Sequence, residues 1–157
     1  MESTLQPHVS VITKNKKALY KYIIKKKIEA GIVLLGWEVK SIRSGLVQIV
    51  DSYAYIKNCT AWVDNIFITP LLSTCTHNAV KSNVSRRLLL NRREISSIAC
   101  QLNQGNYTLV PLSLYWKTSY IKVEIALVQG KKLYQKRHAL KDREWHRRKS
   151  ILLKNNL

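Results

Sequence analysis

The sequence predicts a mainly β domain: a small closed antiparallel barrel of about six short strands with peripheral helices, followed by a basic tail. Short strand-like stretches are separated by turn signals, as at residues 57–58. In the last of these stretches, residues 120–128, apolar residues alternate with Lys122 and Glu124, which share the opposite face. This alternation is typical of an antiparallel strand that is buried on one face. About six short strands with inserted helices fit a small closed barrel better than an open parallel sheet.

The first third of the chain predicts a leader, a strand and a helix. Residues 1–15 carry little pattern and are expected to be a flexible leader. Tyrosine and lysine alternate within residues 18–27, which predicts a strand, and the pair 30–31 indicates a bend or bulge. Residues 36–45 predict a short helix that ends at its final glycine. The globular body is therefore expected to span residues 16–129.

The middle of the chain predicts a hairpin, a loop and a second helix. Residues 51–57 and 61–67 predict two strands joined by a turn, and residues 71–85 have no clear period and are expected to form a loop. Asn91 is placed to cap a helix, because Glu94 follows in the capping-box position and apolar residues then recur at helical spacing. A cap at Asn91 is compatible with phosphate binding at the start of the same helix.

Two longer strands, residues 107–116 and 120–128, complete the predicted body. Residues 130–157 form a basic tail, in which residues 138–154 are compatible with a helix. Many like charges lie three or four residues apart in this segment, which disfavours an isolated helix. The tail is therefore expected to be disordered in isolation and helical on an RNA partner.

The charge balance indicates a polyanionic partner. The 157 residues include 27 basic and 9 acidic ones, which gives a net charge of +18. A small domain needs a net charge of only about 2–8 for solubility. Nucleic acid is therefore the first interpretation, with an anionic membrane surface or mere solubility as alternatives. Aromatic residues such as Tyr134 and Trp145 interrupt the cationic tail, and rings that stack on bases beside phosphate-pairing cations favour RNA.

Several other classes of protein are not expected. No apolar run approaches the roughly 20 residues that a membrane-spanning helix needs, and no secretory signal opens the chain. Cys59, Cys75 and Cys100 are widely spaced and predict free thiols in a reducing cytoplasm, not a disulfide framework or a zinc site. The four histidines are scattered and carboxylates are few, so no metal, cofactor or catalytic centre is expected.

Seven segments, spread over residues 29–145, carry a more specific signal in their order and spacing. They are EAGIVLLGWEVKSIRSG (29–45), DSYAYI (51–56), RRLLLNRREI (86–95), YTLVPLSLYWK (107–117), KVEIAL (122–127), GKKLYQKR (130–137) and KDREW (141–145). Any one of them alone is weak evidence. Together they resemble the SmpB family of bacterial trans-translation, and the resemblance covers almost the whole chain.

The resemblance implies a protein that is not an enzyme, with an antiparallel barrel of the oligonucleotide-binding type and peripheral helices. Members of the family bind the tRNA-like end of transfer-messenger RNA and stand in for its missing anticodon arm. The complex enters ribosomes stalled on an mRNA without a stop codon. There the tail becomes helical in the empty mRNA channel, near the decoding centre of the small-subunit RNA. A cytoplasmic monomer bound one-to-one to transfer-messenger RNA is therefore expected.

Family roles are implied position by position. The residues that match the family's contacts to transfer-messenger RNA are Tyr22, Glu29, Leu89, Asn91 and Lys122. The tail residues at which ribosome engagement is expected are Gly130, Lys131, Lys132, Tyr134, Lys136, Arg137, Lys141, Arg143, Trp145, Arg147, Arg148 and Lys149. Neither set contains a catalytic residue or a metal ligand.

Two positions depart from the family pattern. Tyr20 replaces a histidine in the early A-x-H-x-Y pattern, and a tyrosine ring can still stack on a base. Gln135 replaces the usual aspartate beside Lys136 and Arg137, which removes one negative charge at the start of the tail.

Several of these residues also have structural interpretations. Leu89 is equally compatible with a place in the core. Glu29 either accepts from a base edge or orients a nearby cation such as Lys27. Trp145 has no apolar neighbours in the sequence, so a stacking or docking role is expected for it. The tryptophans expected in or beside the core are Trp37, Trp62 and Trp116.

Three functions fit these observations. The first is the trans-translation adaptor, with one RNA surface on the barrel and another in the tail. The second is a structural ribosomal protein or a general RNA-binding protein, which would also be small, basic and tailed. The third is an RNA-processing enzyme. Retention on ribosomes after a high-salt wash would favour the second, and cleavage of RNA would favour the third.

Overall fold

The computed structural model describes residues 9–71 and 84–155, which form nine strands and four helices. The strands are β1 (Val9–Lys14), β2 (Tyr22–Ile32), β3 (Val47–Gln48), β4 (Tyr53–Lys57), β5 (Thr60–Asp64), β6 (Phe67–Ile68), β7 (Arg86–Leu89), β8 (Thr108–Lys117) and β9 (Tyr120–Gly130). The helices are α1 (Lys16–Lys21), α2 (Gly36–Arg43), α3 (Arg92–Asn103) and α4 (Leu133–Asn155).

Six of the strands form a sheet that closes on itself like a ring. The strand order is β8-β4-β5-β7-β2-β9, and β9 pairs again with β8. Every pairing in this ring is antiparallel. β1 is a further partner of β8, and β3 pairs separately with β6. The prediction of a mainly β protein with about six antiparallel strands in a closed arrangement is confirmed at this level.

The amino end differs from the sequence prediction. Residues 9–14 are not a loose leader, because they form β1 on the edge of β8. Asn15 is buried: its Nδ2 donates to the carbonyl oxygens of Ile49 at 3.1 Å and Pro111 at 3.3 Å. Its Oδ1 accepts from the N–H of Ala18 at 2.9 Å and so caps α1. The strand predicted over residues 18–27 is therefore wrong for its first four residues, which belong to α1.

Most of the other elements lie where the sequence predicts them. α2 and α3 occupy the two predicted helical segments, and β4, β5, β8 and β9 occupy the predicted strands. The bulge of β2 falls between Ile24 and Lys26, not at residues 30–31, which pair regularly with β9. The loop predicted over residues 71–85 lies mostly outside the described residues.

The main core lies inside the ring, and every ring strand contributes to it. Inward residues include Ile28, Ala54, Val63, Leu88, Leu109, Leu114 and Ile125, and α2 and α3 add Ile42 and Ile98. A second cluster joins Ala18 of α1 to outward apolar residues of β8 and β9. Because β8 is covered on both faces, its sequence is almost continuously apolar.

Two of the three tryptophans predicted in or beside the core pack against it. Trp37 and Trp116 pack against the main core. Trp62 does not: it stands on the outward side of β5, between Ala61 and Val63, which are buried. Successive side chains of a strand point to opposite faces, so the burial of its two neighbours directs Trp62 outward.

An ion pair between Glu38 of α2 and Arg86 of β7 is buried beside the core, with side-chain exposures of 4% and 3%. The Nε of Arg86 donates to Glu38 Oε1 at 2.8 Å, and its Nη2 lies 2.7 Å from the same oxygen. Glu38 Oε2 accepts from the N–H of Leu35 at 2.8 Å, and Arg86 Nη1 donates to the carbonyl of Ile66 at 2.7 Å. Both charges therefore have the additional hydrogen bonds that a buried ion pair requires.

The tail forms the long helix α4, which begins five residues earlier than the predicted segment. Leu133, Tyr134, Leu140, Trp145 and Ile151 are all exposed on it. These five side chains therefore add little to the stability of the helix by packing. The expectation that the tail becomes helical only on an RNA partner concerns the free chain, and it stays a prediction.

Replacement of Glu38 by alanine should leave Arg86 charged, buried and without its carboxylate. We expect a loss of about 3–5 kcal/mol in the free energy of unfolding, which lowers the melting temperature by roughly 6–20 °C. Thermal melts followed by circular dichroism measure this. Glu144→Ala, at an exposed position of α4, is the matched control and should leave the melt unchanged. Equal melts for both variants would refute a structural role for the ion pair.

Candidate RNA interface

Four of the five body residues predicted to contact RNA line one groove of about 380 Å³. They are Glu29 of β2, Leu89 of β7, Lys122 of β9 and Asn91, which precedes α3. These residues are up to 93 positions apart in the chain, from 29 to 122. The groove is therefore a product of strand pairing and not of any local motif.

The register of the sheet explains how these residues meet. Gly31 of β2 lies opposite Leu89 on one side and Lys122 on the other. A Cβ atom at Gly31 would lie 3.2 Å from the Cβ of Leu89, closer than side chains normally approach. A glycine at this position therefore lets β7 and its exposed leucine come close to β2.

Leu89 is not a core residue. Its exposure is 54%, whereas its neighbour Leu88 is 2% exposed and lies in the main core. The alternation along β7 places Arg87 and Leu89 on the outward face together. The sequence interpretation that left Leu89 equally compatible with the core is resolved in favour of the surface.

Asn91 occupies the position that caps α3, as predicted. Its N–H donates to the carboxylate of Glu94 at 2.9 Å, which is one half of a capping box. The first turn of α3 therefore faces the groove together with Asn91 and Glu94. The start of a helix presents N–H groups that favour anions, so this edge of the groove suits a phosphate.

Glu29 is held by two neighbours on β8. Its carboxylate accepts from the hydroxyl of Tyr115 at 2.7 Å and from the Nζ of Lys117 at 2.9 and 3.0 Å. The hydrogen bond from Lys117, and next the one from Tyr115, lower the pKa of Glu29 below its usual range. Burial and the bond to Glu29 raise the pKa of Tyr115 well above its usual value. Near neutral pH the carboxylate of Glu29 therefore stays ionised and the hydroxyl of Tyr115 stays protonated.

The cation beside Glu29 is Lys117, so the suggestion that Glu29 orients Lys27 is wrong. Lys27 lies 3.2 Å from Glu124 instead. Glu29 and Glu124 are direct neighbours on β2 and β9, where like charges destabilise a sheet. Each carboxylate has its own lysine, which offsets the repulsion and keeps this strip of the surface from being strongly anionic.

Tyr22 does not belong to the groove. It begins β2 opposite Gly130, seven residues and roughly 20 Å along the strand from Glu29. There it lines a second hollow with Lys17, Lys21 and Asp51. The five predicted body residues therefore occupy two places: four in the groove and Tyr22 beside the root of the tail.

Sequence reasoning missed several residues of the groove region: Gly31, Arg87, Tyr115 and Lys117. Arg87 lines the groove, whose other cation is Lys122. The two carboxylates that line it are both engaged, Glu29 by Lys117 and Glu94 by a backbone N–H. Strand alternation around Leu89 is the signal that could have pointed to Arg87. No sequence signal shows that Lys117 faces Glu29.

The tail leaves the body beside α1 and starts with a side-chain cap. The N–H of Lys131 donates to the carbonyl of Lys21 at 3.0 Å, and its Nζ to the carbonyl of Leu19 at 3.3 Å. The N–H of Lys132 donates to Gln135 Oε1 at 3.0 Å. The amide oxygen of Gln135 thus accepts a hydrogen bond at the start of α4. This role does not need the negative charge of the aspartate that Gln135 replaces.

The remaining predicted tail residues follow one another along α4. Gly130 ends β9, and Lys131 and Lys132 precede the helix. Lys131 and Lys136 are partly covered. The exposed residues of this set are Lys132, Tyr134, Arg137, Lys141, Trp145, Arg147, Arg148 and Lys149. The side chain of Arg143 lies outside the described set, although its backbone is helical.

Comparison with known proteins identifies the family. A model of the SmpB protein family matches residues 12–155. The chain belongs to the SmpB family. It is 44% identical over 148 residues to the SsrA-binding protein of Saccharophagus degradans, a match that covers 94% of this chain and 93% of that protein. It is 46% identical over 145 residues to the SsrA-binding protein of Chromohalobacter salexigens, with 92% of each chain covered.

A solved structure described as "tmRNA-SmpB: a journey to the center of the bacterial ribosome" contains a similar fold. The TM-score is 0.63 at 34% sequence identity, over 77% of this chain and 85% of that one. The family resemblance drawn from the seven segments is thereby confirmed. Within the residues that the structure describes, no helix is long and apolar enough to cross a membrane.

The Glu29 contacts should give a pH-dependent stability. The pKa of Glu29 is lowered in the folded state, so its contribution is present above the unfolded pKa near 4.5 and is lost as pH falls through the folded pKa. Glu29→Gln should therefore be less stable than the parent at pH 7 and equal to it at strongly acidic pH. Urea unfolding across this range measures the difference. A difference that persists unchanged at low pH would contradict the lysine contact as its source.

Proposed function

We propose that this chain is the RNA-binding adaptor of trans-translation. It binds the tRNA-like end of transfer-messenger RNA through the groove and delivers that RNA to stalled ribosomes. The observation that carries the proposal is the meeting of Glu29, Leu89, Asn91 and Lys122 in one groove of a chain that belongs to the SmpB family. The names of its relatives, SsrA-binding proteins, and the ribosome-bound fold it resembles support the same partners.

The groove suits a structured RNA for three physical reasons. Arg87 and Lys122 supply cations for the backbone, and the start of α3 offers N–H groups to a phosphate. Leu89 provides an exposed apolar surface against which a base or sugar can pack. Glu29 contributes by holding Lys117 and Tyr115 in place on β8, the strand on the far side of β9.

We further propose that the ring of six strands is a barrel of the oligonucleotide-binding type, which carries its ligand on an outer face of its strands. On this proposal the chain acts as a monomer, one copy for each RNA, in the cytoplasm. It positions RNA and catalyses no reaction. Among the described residues that line the groove there is no histidine, and the one cysteine is Cys59.

The tail is the second RNA surface of the proposal. Helix α4 projects an exposed array of cations, with Tyr134 and Trp145 among them. Such a helix fits the empty mRNA channel, where cations meet ribosomal RNA phosphates and rings stack on bases. Tyr22 lies opposite Gly130 at the root of this tail, so we assign it to the junction between the two surfaces.

Lys122→Gln should weaken binding to transfer-messenger RNA several-fold. Loss of one phosphate contact should also reduce the slope of log affinity against log salt by about 0.7–1. Fluorescence anisotropy over a salt series measures both quantities. Lys149→Gln removes the same charge from an exposed site of α4 and should leave both unchanged. Equal weakening by both variants would mean that total charge, not the groove, binds the RNA.

Truncation after Gly130 should separate the two surfaces. We expect affinity for transfer-messenger RNA to stay near that of the full chain, because the groove is intact. Tagging of nascent chains on stalled ribosomes should be abolished, because the helix that enters the channel is missing. A reconstituted translation assay with a stop-codonless mRNA measures tagging. A collapse of RNA affinity in the truncated chain would refute the two-surface proposal.

A further inference from the structure

The outward face of β4, β5 and β7 carries large aromatic side chains that the proposed adaptor function does not use. Along these strands the buried inward residues include Ala54, Ala61, Val63 and Leu88, beside the buried Arg86. The outward positions define what we call the aromatic platform: Tyr53, Tyr55, Trp62 and Arg87.

The members of the aromatic platform form a continuous row. Tyr55 lies directly opposite Trp62, and Trp62 lies directly opposite Arg87, so the row crosses three adjacent strands. Tyr53 extends it along β4, with its ring centroid 6.1 Å from that of Tyr55 and the two planes inclined by 34°. Directly opposed side chains on a sheet are only about 5 Å apart. Neighbouring rings at this spacing offer several adjoining apolar surfaces.

Core packing does not account for these rings. Tyr53 is 45% exposed, and Tyr55 and Trp62 are half-buried. Neither of the two apolar clusters found in the described residues includes any of the three. Trp37 and Trp116, by contrast, pack against the main core. The platform rings are thus available to an external partner.

The charges around the aromatic platform favour an anionic partner that continues from the groove. Arg87 both ends the aromatic row and lines the groove. Lys57 is exposed at the end of β4. Among the described outward residues of these three strands, the one carboxylate is Asp64, at the opposite corner, where it accepts from the hydroxyl of Tyr53 at 3.4 Å. A phosphate backbone can therefore pass along the Arg87 side while bases turn onto the rings.

We propose that the aromatic platform binds unpaired nucleotides of single-stranded RNA, with bases stacked on Tyr53, Tyr55 and Trp62 and a phosphate paired with Arg87. This rests on the proposed function only in taking RNA as the partner. Stacking on aromatic side chains tolerates any base. The platform is accordingly a sequence-tolerant site beside the groove, which holds structured RNA.

The test is binding of fluorescein-labelled hexaadenylate RNA to the full-length chain, followed by anisotropy at about 0.5 M salt, where the charge-driven affinity of the tail is strongly reduced. Trp62→Ala and Tyr53→Ala should each weaken binding by roughly five- to 100-fold. Tyr53→Phe keeps the ring and should retain affinity. Tyr120→Ala is the matched control, because Tyr120 is 71% exposed on β9, which pairs with none of the platform strands.

Unchanged binding in both alanine variants, or an equal loss in Tyr120→Ala, would overturn the platform. Thermal melts check that each variant folds. If Trp62→Ala is unstable, Tyr53→Ala carries the test, because Tyr53 is exposed. Lys122→Gln should keep hexaadenylate affinity while losing affinity for transfer-messenger RNA, so failure of the platform and failure of the groove give different results. If the platform variants lose ribosome association but keep hexaadenylate binding, the face contacts another part of the ribosome and the assignment to single-stranded RNA is wrong.

Discussion

The groove depends on the buried ion pair between Glu38 and Arg86. Arg86 begins β7, the strand that carries Arg87 and Leu89, and Glu38 lies in α2, directly after β2. The pair therefore joins the two strands whose ends form the walls of the groove, where only two residue pairs of β2 and β7 are in register. A short pairing of this kind gains much of its geometry from neighbouring contacts. Both charged groups also form hydrogen bonds with backbone groups, so the buried contact between α2 and β7 has a defined geometry.

Closure of the sheet places functional residues side by side on its outer surface. Across neighbouring strands the row Tyr115, Lys122, Gly31 and Leu89 is continuous. This surface is expected to bind a polyanion, yet it carries three carboxylates. Each carboxylate has a local partner: Lys117 for Glu29, Lys27 for Glu124 and a backbone N–H for Glu94. The cations that line the groove, Arg87 and Lys122, then determine its charge. The body can thus bind RNA without an extreme local field.

Local patterns predicted the elements whose stability is largely local. Alternation located β9, and helical spacing with a cap located α3. The amino end was not predictable in this way, because Asn15 caps α1 while bonding to residues 34 and 96 positions away. Trp62 was expected in or beside the core, whereas the burial of Ala61 and Val63 turns it outward. The family resemblance supplied Glu29, Leu89, Asn91 and Lys122, but only the strand register shows that they share one groove and that Tyr22 does not.

The central claim is that the body recognises transfer-messenger RNA by shape and position and not by charge alone. It is tested most directly by a gel-shift titration at physiological salt with transfer-messenger RNA, ordinary tRNA and a hairpin of tRNA size. A chain of net charge +18 binds any RNA to some extent. We expect a strong preference for transfer-messenger RNA. Equal affinity for all three would contradict specific recognition and would favour a structural ribosomal protein or a general RNA-binding protein.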